Sequence, residues 1–207
     1  MNPRYWIRIT DAGAWLNGDR LSTLRHGAQL LRELYKTRLG NYPKFFKMDP
    51  LCRLGYVASE LLLATRSPRP HDCDDVAVVM LNTTASLADD VAYQATIQDA
   101  DNYFPSPAVF VYTLPNIVTG EICIVNKFYG ESNFLVVPEW DASVMCDAAA
   151  QALLDPTTHT VLLGWLDCAD ADHFSAMMTL LTADDLSALR PAALDDLMKI
   201  TELTNNT

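Results

Sequence analysis

The chain has 207 residues, 50% of them hydrophobic, with 26 acidic against 15 basic side chains and a formal charge of −11. That length supports one domain with a substantial core, and the apolar share excludes a disordered or fibrous chain. The acidic balance excludes a nucleic-acid partner. No early stretch has the order of a signal peptide, and no apolar run is long enough to span a bilayer. We therefore expect a cytoplasmic chain without membrane insertion.

The net charge hides an asymmetry. Residues 1–70 hold 12 of the 15 Lys and Arg but only 5 of the 26 acidic residues. Lys44, Lys47 and Arg53, with Arg66 and Arg69 nearby in sequence, form a candidate basic patch suited to an acidic protein partner; equally, the two parts fold together and compensate. The five cysteines (Cys52, Cys73, Cys123, Cys146, Cys168) lack Cys-x-x-Cys spacing and sit mainly in apolar runs, so they read as reduced thiols.

In chain order, Tyr5–Ile9 predicts a first strand and Asp11–Arg20 a glycine-containing loop. Leu21–Leu39 has helical spacing with basic residues outside it, a surface helix broken by Asn41-Tyr42-Pro43. Asp49–Thr65 predicts a helix with Asp49 as cap and Pro50 at its first position. Val76–Leu81 is a continuous apolar run of the kind found in central parallel strands, and Asn82–Ser86 opens a helix toward Asp99.

Thr113–Phe128 predicts a helix capped by Thr113 with Pro115 in its first turn. Its stripes, Ile117/Gly120/Ile124 and Val118/Ile122/Val125, make it apolar nearly all round and hence interior. Asn133–Val137 is a strand ending in an elbow at Pro138-Glu139-Trp140, with a helix over Ala142–Leu154 behind it. Thr160–Trp165 is a buried strand and Phe174–Leu181 an edge strand. Thr182–Ile200 opens with a Thr-x-x-Asp capping box and is split by Pro191, and Asn205–Thr207 is expected to fray.

TLPNIVTGEICIVNKFYGES resembles the N-terminal half of the β-ketoacyl-acyl-carrier-protein synthases, with Asn116, Gly120, Gly130 and Ser132 falling on the pattern as structural positions. FFKMDPLCRLGYVASELLLA and DDVAVVMLNTTASLADDVAY are similar to the same family, so the resemblance covers most of residues 4–182. It implies a thiolase-like half-fold, α/β, with a five-stranded mixed sheet in the order 3-2-1-4-5, helices on both faces, and a single domain over residues 1–207. The nucleophile position falls on or beside Glu139, where there is no cysteine, and the family's second half with its histidines is absent. The resemblance therefore implies an accessory protein of chain-length-factor type in fatty-acid, polyketide or polyene biosynthesis, not competent alone for condensation. Its implied partners are an acyl carrier protein, received on Lys44, Lys47 and Arg53, and a ketosynthase or a second copy, paired along Asn133–Val137.

The alternative is a thioester-directed decarboxylase or hydrolase using Glu139 as acid or base, since a carboxylate is a poor acyl acceptor. Whether the chain is an enzyme stays open at this level. His173 beside Asp167, Asp170 and Asp172 suggests a solvated loop more than a metal site. The sequence asks for no metal and no cofactor.

Overall fold

The computed structural model describes residues 3–21, 24–101 and 103–200; the expected fraying at Asn205–Thr207 lies outside the described residues. The strands are β1 (Tyr5–Thr10), β2 (Gly13–Leu16), β3 (Asp19–Arg20), β4 (Val76–Asn82), β5 (Ser132–Val136), β6 (Thr160–Cys168) and β7 (Phe174–Leu181). They make one mixed sheet in the order β3-β2-β1-β7-β6-β4-β5. β4 runs parallel to β5 and β6; β7 is antiparallel to β6 and β1, and β1, β2 and β3 form an antiparallel meander.

The sheet therefore has seven strands, not the expected five, and another order. Asp11–Arg20 is not a loop: Gly13–Leu16 folds back on β1, pairing Thr10 with Gly13 and Ile7 with Leu16. Asn17 and Gly18, both at positive φ (53° and 101°), then turn the chain into β3. Asn-Gly is a hairpin signal, because both central positions of such a turn need left-handed backbone. The expected order also places the first strand between the second and fourth, but β1 lies outside β7. A short turn after β6 makes β7 antiparallel, and the free side of β7 accepts β1 from Tyr5↔Leu180 to Thr10↔Ser175. Phe174–Leu181 is thus an inner strand rather than an edge, and Ala176 through Leu181 are all buried.

Helices cover both faces, which is why β4, VAVVMLN, is buried at every position. On one face α1 (Gly27–Leu34), α2 (Pro50–Leu63) and α5 (Ile117–Asn126) pack over Ile7, Ile9, Val78, Met80 and Leu162. On the other, α6 (Ala142–Ala152), α7 (Ala183–Ala188) and α8 (Pro191–Met198) pack over Ala77, Val79, Leu163 and Trp165. Successive β4 residues feed opposite cores, as the two-residue period of a strand requires. Two short helices, α3 (Leu87–Gln94) and α4 (Pro107–Phe110), lie in the connection between β4 and α5.

Caps read from sequence are present. The Asp49 carboxylate accepts from the N–H groups of Leu51 (3.0 Å) and Cys52 (3.3 Å), and Pro50 opens α2. Thr182 and Asp185 form the capping box of α7, and Pro191 opens α8 as a separate helix. Gly55 on α2 lets α5 approach: a Cβ there would overlap the Val118 side chain.

α5 departs most from expectation. The chain bends by 97° between Pro107–Thr113 and Ile117–Asn126, so Pro115 precedes the helix and Asn116 is its N-cap, without a side-chain bond. Val118 and Ile122 are buried against α2, but Ile124 is 65% exposed and Gly120 faces open space. One apolar stripe is interior; the other looks outward. Among the described residues no single helix is long and apolar enough to cross a membrane; only this bent pair passes together by length and composition.

Candidate functional site

The elbow after β5 is pinned from both sides. The Val137 N–H donates to the Asn82 carbonyl at 2.9 Å. The Trp140 indole N–H donates to Asp195 Oδ1 on α8 at 2.8 Å, and its ring meets Trp165 edge-on, with centroids 5.2 Å apart. The N-terminus of α6 is capped by Asp141, which accepts from Ser143 N–H at 2.7 Å and Val144 N–H at 3.3 Å. The stabilisation of an anion at that terminus therefore goes to Asp141. Glu139 is exposed on the outside of the bend, neither capping the helix nor buried in a pocket of this chain.

No thiol takes over the nucleophile's part. All five cysteines are free. Cys146 sits in the second turn of α6, and burial raises its pKa; burial likewise holds Cys73 and Cys123 at about 11 and Cys168 at about 12, and pushes Cys52 well up. Such thiols stay protonated and unreactive at neutral pH.

Beside the elbow lies an unpaired edge. Among the described residues β5 pairs with β4 alone, and Leu135 and Val136 are exposed along it. Of the fifteen large hydrophobic residues exposed among those described, eleven fall between Leu87 and Val136, including Phe104, Phe110, Ile124 and Tyr129. Scattered exposed apolar residues need no explanation, but an open strand edge that carries Leu135 and Val136 is a surface suited to pairing. The connection bearing α3 and α4 is held mainly by polar bonds: Ser86 Oγ donates to the Thr113 carbonyl (2.7 Å) and Tyr112 OH to the Lys47 carbonyl (3.4 Å). Asp89, the one buried residue of α3, hydrogen-bonds Asp49; burial, with that carboxylate against it, raises its pKa to about 8.

The expected basic patch is only partly a free surface. Lys44 is paired with Glu121, whose hydrogen bond raises the lysine's pKa. Glu121 is buried, and its Oε2 has no hydrogen-bond partner among the described residues. Arg53 donates to the Phe45 (3.2 Å) and Phe46 (3.0 Å) carbonyls, and burial followed by the charge of Arg32 lowers its pKa. Lys47 is exposed. Arg66 lies over the Tyr5 ring, and Arg69 belongs to a buried network; both follow the C-terminal end of α2, which is roughly 15 Å from Arg53 by helix rise. Exposed cations also cluster around α1, where Arg32 and Lys36 line a groove of about 340 Å³ with Arg25 and Glu33, which pair with each other at 4.0 Å.

The remaining candidates have structural surroundings. Asn116 and Ser132 are exposed, so neither is a buried polar anchor of the fold. Asn126 is one: it is fully buried, its amide donates to Glu60 Oε1 (2.9 Å) and the Ile122 carbonyl (3.0 Å), and its Oδ1 accepts from Arg69 (2.6 Å). At Gly130 the chain passes so close to the start of β4 that a Cβ would stand 2.5 Å from the Val76 carbonyl oxygen. Asp170 accepts from the backbone N–H of Asp172 and His173 and pairs with the His173 ring, while Asp167 accepts from Thr83 and the Trp165 indole. Among the described residues no three His, Cys, Asp or Glu are arranged to hold a metal.

No family profile and no curated protein matches the chain. Solved structures do. One is a ketosynthase in complex with its chain length factor from Xenorhabdus doucetiae, at 15% identity and TM-score 0.51, over 88% of this chain and 80% of that one. Another is the ishigamide ketosynthase/chain length factor, at 15% identity and TM-score 0.60, over 88% and 62%. A third is a type II polyketide synthase acyl-carrier protein in complex with its ketosynthase, at 12% identity and TM-score 0.55, over 90% and 64%. The chain thus spans less than two thirds of the latter two. The likeness extends to the fold: this chain has a ketosynthase-like, thiolase-type α/β architecture, despite a strand order other than the one anticipated.

Proposed function

We propose that this chain is a non-condensing partner of chain-length-factor type, which pairs through β5 with a ketosynthase and works in the assembly of a polyketide, polyene or fatty-acid-like chain. The observation that carries this reading is the open β5 edge, on which Leu135 and Val136 are exposed, leading into an elbow with no thiol. The matched structures that are ketosynthase and chain-length-factor complexes support it. In this reading residues 1–207 are one domain equivalent to an N-terminal half. A carrier protein docks by charge on Lys47 and the cations of α1, with Lys44 and Arg53 at the margin.

The enzymatic reading requires Glu139 to meet a thioester. Glu139 is exposed at the bend, where this chain does not enclose it against a bound substrate, so we favour the partner role. The test is co-expression with ketosynthases of type II systems, followed by sizing of the purified complex. A one-to-one complex lost on replacing Leu135 and Val136 by Lys supports the proposal. A homodimer that excludes the ketosynthase, or a monomer under all conditions, refutes it.

A further inference from the structure

A cavity of about 370 Å³ opens between the C-terminal halves of α2 and α5, away from the elbow, lined by Tyr42, Tyr56, Glu60, Arg69, Ile124 and Val125. Tyr56 is 1% exposed, and its hydroxyl has no hydrogen-bond partner among the described residues. A buried hydroxyl without a partner costs about 1–3 kcal/mol and asks for an explanation. Burial keeps that phenol protonated, so it stands in the cavity wall as a donor. Its ring is fixed by stacking on Tyr42, with centroids 5.4 Å apart and planes inclined at 18°.

The other polar groups are donor-rich. Both Glu60 oxygens accept from Arg69 Nη2 (2.8 and 2.9 Å), and Asn126 fills a further site on Oε1. Among the described residues the hydrogen bonds of Arg69 run through Nη2, leaving Nε and Nη1 to donate. An incoming amine would find the Glu60 carboxylate already engaged, whereas an incoming anion finds a phenol and a guanidinium edge. Facing these are the side chains of Ile124 and Val125 and the ring of Tyr42, which offer an apolar wall. The volume suits a small molecule.

We propose that this cavity binds a small carboxylate on an apolar body, the carboxylate taken by the Tyr56 hydroxyl and the Arg69 guanidinium and the body laid against Ile124, Val125 and Tyr42. The site stands whether or not β5 pairs with a ketosynthase, since it uses no residue of that strand.

The experiment titrates the full chain, isotopically labelled, with hexanoate and benzoate, and in parallel with hexanol and inorganic phosphate. Hexanoate or benzoate should saturate shifts at Val125, Tyr56 and the Arg69 side chain, with hexanol and phosphate at least about tenfold weaker. Tyr56→Phe keeps the ring and removes the hydroxyl; it should weaken the carboxylates about tenfold while leaving the melting temperature unchanged or raised, because no existing bond is lost. A merely structural hydroxyl would lower the melting temperature instead. His71→Glu, an exposed change at the rim, should weaken the carboxylates severalfold and leave hexanol unaffected. Absence of saturation with both carboxylates, hexanol binding as tightly as hexanoate, or Tyr56→Phe binding like the wild type would each overturn the assignment.

Discussion

The two sides of the sheet are built on opposite terms. Where β1, β7 and β6 lie together, both faces are covered, and even an arginine is interior. Arg8 is 4% exposed and donates to Ser175 Oγ and to the carbonyls of Ile9, Ala176 and Met198; burial lowers its pKa to about 10. Around β5 and its approach from Leu87, half of the large apolar side chains are exposed, and α3 buries only Asp89. The same chain thus closes one side by hydrophobic burial and holds the other by polar bonds, leaving its apolar surface for something else. A sheet that stood alone would blunt such an edge with charge or proline; this one ends in Leu135 and Val136.

Changes on the closed side should act on stability alone. Leu162→Ala, in β6 under both neighbours, should cost about 2–5 kcal/mol in urea unfolding through lost burial and a cavity. It should leave association unchanged once the protein is folded.

On the open side the largest effect belongs to pH. The folded-state pKa of Asp89 lies far above that of an unfolded aspartate, so the folded protein holds an extra proton between about pH 4 and pH 8. Its contribution is greatest below about pH 4, is lost progressively as pH rises through that window, and levels off above about 8. Asp89→Asn keeps a donor to Asp49 without the titration. It should remove that slope and gain about 1–3 kcal/mol over wild type at pH 8, measured by urea midpoints at a series of pH values.

Replacing Leu135 and Val136 by Lys should shift stability by less than about 0.5 kcal/mol, because both are exposed, yet weaken pairing with a ketosynthase at least about tenfold by sizing or calorimetry. If stability falls instead, the distinction between the two sides fails. Glu139→Gln should change neither stability nor pairing; loss of a thioester-consuming activity on that substitution would move the chain into the enzymatic class.

What the sequence made legible follows local chemistry. The continuous apolar runs at Val76–Leu81 and Thr160–Trp165, the Asp49-Pro50 start of α2 and the Thr182 capping box each depend on neighbours a few residues away, and each is where it was expected. The strand order is a long-range choice: nothing within Tyr5–Ile9 says that it pairs with Phe174–Leu181. The Asn17-Gly18 turn is a local hairpin signal, but glycines mark loops as readily as hairpins, so Asp11–Arg20 reads as a loop until its pairing with β1 is seen. α5 shows the limit of periodicity, since an apolar stripe reads the same whether it meets α2 or faces outward. At the candidate sites, Glu139 was located by its elbow, but Asp141's role as cap needed the backbone. The Tyr56 hydroxyl and the Glu60–Arg69–Asn126 network carry no spacing signature, because their members come from α2, α5 and the loop between α2 and β4.

The placement of β1 also bears on how the molecule is made. Four of its six residues pair with β2 at once, but the partner of all six, β7, leaves the ribosome more than 160 residues later, and Arg8 reaches one of its acceptors only at Met198. A nascent chain must carry its opening hairpin with one flank uncovered until nearly the last helix emerges, which slows folding and lengthens the time in which chaperones can engage it.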